Sequence, residues 1–300
     1  MKTTTFKLLD WSRNDIEQKI GFKGRKYTDV NGGLAVLATI IICIGLFSLA
    51  SVLPDSVRGS RAVSLFLKRG WTPYAMTALS IFALVSLFVK WRKLRFQEKA
   101  FTVEIVPKGA TFALTPDTAQ DALRRLHSFV DDSRHFVLFN RIERALQNLR
   151  NLGNVSDVSE MLRAQAENDE SHVESSYTLL QGIVWAIPIL GFIGTVIGLS
   201  GAIGKFGSVL NSGTSVESLK EGLAPVTNNL GIAFDTTFLA LILAIVVQML
   251  MTVLRKREEL FLDECRDYAH ENIISRLRLS ASASAEKKGE GGDKAPEENA

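Results

Sequence analysis

The chain has 300 residues, a formal net charge of +3, and 46% hydrophobic beside 22% charged residues. The mean hydropathy of +0.13 is high for a soluble protein, so the apolar residues must be gathered in separate segments. Cys43, Cys265 and four scattered histidines form neither a disulfide framework nor the ligand spacing of a metal site. The composition therefore argues against a disulfide-stapled or metal-stabilised domain and indicates a membrane protein.

Four apolar runs are long enough to cross a bilayer, which takes about 20 residues. They are 34–53, 72–89, 179–204 and 230–254. The second is short, and we expect Trp71, Tyr74 and Trp91 to anchor it at the membrane interfaces. The sequence thus predicts an all-α, polytopic membrane protein with four transmembrane helices and a helical cytoplasmic segment between helices 2 and 3.

Lysine and arginine residues predict the orientation of these helices. They are concentrated in the first 33 residues, directly after the second span and directly after the fourth, and the two loops between paired spans carry fewer. By the positive-inside rule, both termini and the central segment should be cytoplasmic. The net charge follows from this topology, so no nucleic-acid partner is needed to explain it.

We divide the chain into a cytoplasmic N-terminal segment, transmembrane helices 1 and 2, a cytoplasmic helical domain, transmembrane helices 3 and 4, a cytoplasmic C-terminal helix and a disordered tail. These are residues 1–33, 34–91, 92–177, 178–254, 255–279 and 280–300. The tail is predicted to be disordered because it is polar and of low complexity.

Three shorter patterns refine this division. Apolar residues among charges over 6–20 fit equally an amphipathic helix on the membrane surface and a solvated lead-in. Alternation over 101–106 predicts a short strand. Pro116 and Asp117 mark a helix start, and another helix begins near Ser156 and should continue into the third span.

The third span contains a glycine stripe. Its members are Gly191, Gly194, Gly198 and Gly201. Spacings of 3, 4 and 3 place them on one side of a helix, where another helix can approach to backbone contact. Thr195 lies on the edge of the stripe. Pro188 should bend the helix, either as a hinge or as a fixed kink.

The fourth span carries Asp235, Thr236 and Thr237 inside an apolar run. Thr237 shares a side with small residues, with Thr236 at its margin. At about 1.5 Å per residue, Thr195 and Thr237 lie about 13 Å and about 10 Å from the outer ends of their spans, so their depths are similar. Periodicity alone favours neither simple helix packing nor a polar lumen for these faces.

Asp235 is costly in a membrane, by roughly 2.5–3.5 kcal/mol or more at mid-depth. It projects about 100° or more away from Thr236 and Thr237 on a helix. Three roles are open to it: carrying a proton directly, reaching the outer interface five residues away, or pairing between subunits.

Two motifs together resemble the MotA/TolQ/ExbB proton-channel family. They are Pro188-x-x-Gly-x-x-Gly-Thr-x-x-Gly198 and Ala233-x-x-x-Thr-x-x-Ala-Leu241. The order of spans is similar to the MotA branch, and the Gly-Thr pair to the TolQ and ExbB branch. Two features depart from the family: Ile232 stands where the TolQ and ExbB branch has a glutamate, and no MotA-type proline ends the fourth span.

The resemblance implies a homo-oligomer, pentameric in the family, in the bacterial inner membrane. It would surround two helices of a single-pass MotB/TolR/ExbD-type partner, whose membrane aspartate carries the ion, expected to be H⁺, without a cofactor. Thr195 and Thr237 match the pore-lining positions, with Thr236 and Asp235 beside them. Pro188 matches a proline linked to conformational coupling. Residues 178–254 would then form the channel core.

Two other functions stay open at this stage. A secondary transporter or another channel would use Asp235 as its own essential acid, without a single-pass partner. A structural membrane scaffold would use the glycine faces only for packing. An enzyme is not expected, because the sequence offers no nucleophile–base pair, phosphate loop or metal set. Arg141, Glu143 and Arg144 fit a solvated face better than a contact with a driven machine.

Overall fold

The structure is a computed structural model that describes residues 9, 11, 15–22, 24–52, 63, 66, 70–106, 113–149, 155–211 and 216–277. The tail predicted at 280–300 lies outside the described residues, as does most of the loop that joins the first two spans.

The described part of the chain is helical and has no strand. The α-helices are α1 (Ile16–Lys19), α2 (Gly32–Val52), α3 (Thr72–Gln97), α4 (Pro116–Phe129), α5 (Val137–Asn148), α6 (Val155–Asn211) and α7 (Val216–Asn272). Helices α2, α3, α6 and α7 are each long and apolar enough to cross a membrane. This confirms the predicted all-α fold with four spanning helices.

Helix boundaries follow the local sequence with one exception. Helix α4 begins at Pro116 because Thr115 and Thr118 cap it reciprocally: each side chain accepts the other's backbone N–H. Helix α6 begins at Val155 and continues through the third span, as expected. The strand predicted at 101–106 is wrong, because a 3₁₀ turn at Glu98–Thr102 directly follows α3.

The chain divides into two compact units. The polar unit comprises the described residues of 1–12, 97–170 and 261–300, and the span unit comprises those of 13–96 and 171–260. The polar unit therefore contains α4, α5, the first part of α6 and the last part of α7.

The polar unit buries a residue from the start of the chain. Trp11 is only 2% exposed, and its ring stacks on His135 with centroids 5.3 Å apart. Phe136 meets the same indole edge-on at 5.1 Å. Trp11 is therefore a core residue. Its aromatic contacts stabilise the unit in addition to the burial of its large apolar surface. A solvated lead-in is therefore wrong at Trp11, and the helix on the membrane surface stays a prediction.

Arg141 is a second buried residue of the polar unit, 1% exposed. Its Nε donates to Asp169 Oδ2 at 2.7 Å. The solvated face expected for Arg141, Glu143 and Arg144 is thus wrong for Arg141, because this position faces the core side of α5, beside the buried Leu138 and Ile142. A buried guanidinium is tolerated only with a partner such as this carboxylate.

The span unit contains buried charges at one end of its helices. Lys93 on α3 lies 2.8 Å from Glu17 and donates to the Asp29 carbonyl at 2.7 Å. Glu17 also accepts the backbone N–H of Arg25 and Asn31. The segment around α1 is therefore bound to α3 by a hydrogen-bonded ion pair, which satisfies a carboxylate that is itself fully buried.

A second buried cluster surrounds Glu258 on α7. Its carboxylate lies 3.7 Å from Lys90 Nζ and accepts hydrogen bonds from Tyr177 (2.7 Å) and Thr28. Lys90 also donates to Ser176 at 2.7 Å. The cluster joins the segment after α1 to α3, α6 and α7, so four parts of the chain depend on one carboxylate.

We predict that Arg141→Met destabilises the protein by about 3–5 kcal/mol, because it leaves the Asp169 carboxylate buried without a counter-charge. The measurement is the thermal unfolding midpoint of the full chain in detergent. Arg134→Met is the control, since Arg134 forms an exposed pair with Asp132 and its loss should change little. The double variant Arg141→Met/Asp169→Leu should recover most of the loss. An equal effect of Arg134→Met and Arg141→Met would contradict the prediction.

Candidate ion-pathway site

Helices α6 and α7 form a close antiparallel pair in the span unit. A Cβ placed on Gly194 would lie 2.6 Å from Thr236 Oγ1, and one on Gly198 would lie 2.9 Å from both the backbone N of Ala233 and the Asn229 carbonyl oxygen. No side chain fits into such space, so the glycines allow the two helices to meet backbone to backbone.

The contact has a regular register along both helices. The facing pairs are Gly191 with Ala240, Gly194 with Thr236, Gly198 with Ala233, and Gly201 with Asn229. The glycine spacings of 3, 4 and 3 meet spacings of 4, 3 and 4 on α7, so each glycine finds a small side chain or bare backbone opposite it. We call this line of contacts the glycine seam.

Thr236 lies at the centre of the glycine seam. It is 1% exposed, and its hydroxyl donates to the Ala233 carbonyl at 2.9 Å. The sequence pattern placed Thr236 at the margin and Thr237 on the contact side. The structure brings both residues to the contact: Thr236 faces Gly194, and the Thr237 Cα lies 3.4 Å from a Cβ placed on Gly191. The glycines thus meet the stripe of α7 that runs from Asn229 to Ala240.

Thr237 and Thr195 lie beside the seam. Thr237 is half-buried, and its hydroxyl donates across the pair to the Gly191 carbonyl at 3.3 Å. The Thr195 hydroxyl donates to the Phe192 carbonyl of its own helix at 2.6 Å. At about 100° per residue, Thr195 is rotated about 80° and Thr237 about 70° from the seam. Since the helices are antiparallel, both rotations point to the same side of the pair.

Asp235 and Pro188 fall on opposite sides of the helix pair. Asp235 is half-buried and rotated about 130° from the seam in the opposite sense, so the pair does not bring it to the two threonines. Pro188 lies within the continuous helix α6, about 100° from the seam and on the side of Thr195. Ideal helix geometry thus turns Thr195, Thr237 and Pro188 to one side of the pair and Asp235 to the other, with Thr236 in the seam between them.

The sequence analysis missed Asn229, and it placed Gln248 on the side of Thr237 without counting it as a site residue. Asn229 supplies both a backbone carbonyl and a side-chain amide to the seam, and its signal was its position one turn before Ala233. Gln248 is exposed in an apolar helix and bonds Thr252 at 3.4 Å. At about 100° per residue, Gln248 lies within about 20° of Thr237.

The threonine side chains of this region can take part only in hydrogen bonds. Hydroxyls donate and accept hydrogen bonds but do not titrate near neutral pH. Among the described residues, no group of three His, Cys, Asp or Glu side chains could hold a metal ion. A helix face of small residues and threonines occurs both where membrane helices pack and where they surround a polar lumen.

Part of the chain matches a known protein family. Residues 136–266 match the family model of the MotA/TolQ/ExbB proton channel family, a region that contains the whole glycine seam and both threonines. Residues 136–266 are therefore similar to this proton channel family, and four described helices are long and apolar enough to cross a membrane. A search of curated proteins gave no match, and neither did a search of solved structures.

Gly198→Ala should weaken the α6–α7 pair by about 1–3 kcal/mol, because the new methyl group collides with two backbone atoms of α7 and forces the helices apart. Thermal unfolding of the purified protein in detergent measures the effect. Gly204→Ala is the matched control: the same change in the same helix, where a Cβ meets nothing within 4 Å. If both variants unfolded at the wild-type temperature, the glycine seam would not hold the pair.

Proposed function

We propose that the chain is the ring-forming subunit of a proton channel that couples ion-motive force to mechanical work through a single-pass partner. The match of residues 136–266 to the proton channel family supports a protein of the proton-channel class. The finer proposal is supported by the glycine seam, since with that rotation ideal helix geometry turns Thr195 and Thr237 to the same side of the pair. Such a side suits a narrow lumen shared with another helix.

The chemistry of the two threonines requires a second component. A hydroxyl can hydrogen-bond a carboxyl or solvate an ion, but it cannot take up and release a proton near neutral pH. Asp235 lies on the other side of the pair, so the carrier on the threonine side has to come from another chain. A membrane aspartate of a single-pass MotB/TolR/ExbD-type partner fits this need. One charge crossing the membrane releases about 2.3 kcal/mol per 100 mV.

Exposed polar groups along α7 support an oligomer. Gln248 and Thr252 are exposed in this single chain, and Gln248 follows the side of Thr237 toward the polar end of the helix. Lipid cannot hydrogen-bond such groups, whereas a central lumen or a partner helix can. We therefore propose a homo-pentamer around two partner helices, in a bacterial inner membrane with both chain termini cytoplasmic.

Native mass spectrometry of the tagged protein, extracted gently from its host membrane, tests the assembly. We expect a mass that fits a pentamer with two copies of a small single-pass protein. A monomer or dimer without a companion would overturn the proposal. Asp235 would then be the first residue to substitute, because a transporter without a partner needs an acid of its own.

Thr195→Ala and Thr237→Ala should each lower proton flux by up to about tenfold, the equivalent of one lost hydrogen bond of about 1.4 kcal/mol. Flux is measured from cytoplasmic pH in host cells that retain the rest of the complex. Thr195→Ser keeps the hydroxyl and should retain activity. Ser200→Ala is the control, because Ser200 is exposed on the far side of the same helix. A structural scaffold predicts unchanged flux in all four variants.

A further inference from the structure

A groove of about 680 Å³ runs between α3 and α7 in the span unit. Its walls are the apolar ends of the second and fourth spans, and its polar end carries Arg95 and Arg257. We propose that this groove binds an anionic phospholipid, with the phosphate between the two arginines and an acyl chain along the apolar walls. This inference does not depend on the proposed ion pathway.

The polar end of the groove suits a phosphate group. Arg95 and Arg257 are exposed, no carboxylate lines the groove, and neither arginine forms an ion pair with a described residue. The Arg95 guanidinium lies 5.1 Å from the centre of the Trp91 ring, a stacking contact that holds it at the rim of the groove. Paired guanidinium groups bind phosphate oxygens through several charge-assisted hydrogen bonds.

The rest of the groove suits a hydrocarbon chain. Phe88, Leu250 and Val253 are 55%, 49% and 56% exposed, and they lie on the membrane side of the arginines. Trp91 lies between the two parts, where tryptophan prefers the level of the lipid headgroups. Basic pockets between spanning helices select acidic headgroups in this manner. One ligand class, a lipid with a negative headgroup, therefore matches both ends of the groove.

A second cavity in the same unit shows why the unpaired charges matter. It measures about 410 Å³ and also contains two basic side chains, Arg25 and Lys90. Arg25 is paired with Asp29 at 3.0 Å, and Lys90 with Glu258. Its cations are already neutralised by carboxylates of the protein, so it offers no net attraction to a phosphate. The groove between α3 and α7 has no lining carboxylate, so its two arginines do attract a phosphate.

The test uses the full chain, purified in detergent and freed of lipid, and native mass spectrometry with dioleoyl phosphatidylglycerol or dioleoyl phosphatidylcholine. We expect phosphatidylglycerol to bind about thirtyfold more tightly, since each arginine contributes roughly fivefold near an anionic headgroup. Arg95→Gln/Arg257→Gln should abolish this preference. Arg92→Gln/Lys256→Gln removes the same charge from exposed positions of the same helices outside the groove, and should keep it.

Two further measurements separate the possible occupants. Val253→Trp fills the apolar wall and should lower the occupancy of phosphatidylglycerol, and inorganic phosphate at millimolar concentration should not compete with it. Equal loss of preference in both double variants would reduce the effect to overall charge and overturn the proposal. So would a change in subunit number in Arg95→Gln/Arg257→Gln without a change in lipid binding, because the groove would then be a contact between copies of this chain.

Discussion

The approach of two backbones along the glycine seam determines how α6 and α7 are arranged. Between helices in lipid there is little hydrophobic force, so close packing is what holds them together. A contact as close as that of Gly198 with Ala233 and Asn229 also permits only one rotation of each helix. On ideal helix geometry, this rotation turns Thr195 and Thr237 to one side of the pair and Asp235 to the other. The glycines therefore act on the proposed pathway without belonging to it.

The glycine spacing was sufficient to predict a close helix pair, but not which side of α7 enters it. Two stripes of small residues overlap on α7, one through Thr236 and one through Thr237, and both include Ala233 and Ala240. Neighbouring residues differ by only about 100° on a helix, so composition cannot choose between the two stripes. Which stripe faces α6 depends on contacts with the glycines of that helix. The periodicity of α7 alone carries no information about those contacts.

The buried charges were beyond prediction for a related reason. Arg141 is bonded to a residue 28 positions away, and a charged residue in an amphipathic helix is by default assigned to the surface. Trp11 likewise has its aromatic neighbours far along the chain. The four spans, by contrast, were predictable, because bilayer thickness alone sets the length of an apolar helix. The long helices were therefore predicted correctly, whereas the short strand at 101–106 and the solvated face at Arg141 were not.

The cluster at Glu258 has a consequence for how the protein is made. Thr28 and Glu258 are 230 positions apart, so the carboxylate that neutralises Lys90 is synthesised long after α3 has emerged. During that interval Lys90 is an uncompensated cation at the end of the second span, the kind of charge that holds a helix end on one side of a membrane. When the last helix packs against α3, this cation becomes buried beside the Glu258 carboxylate.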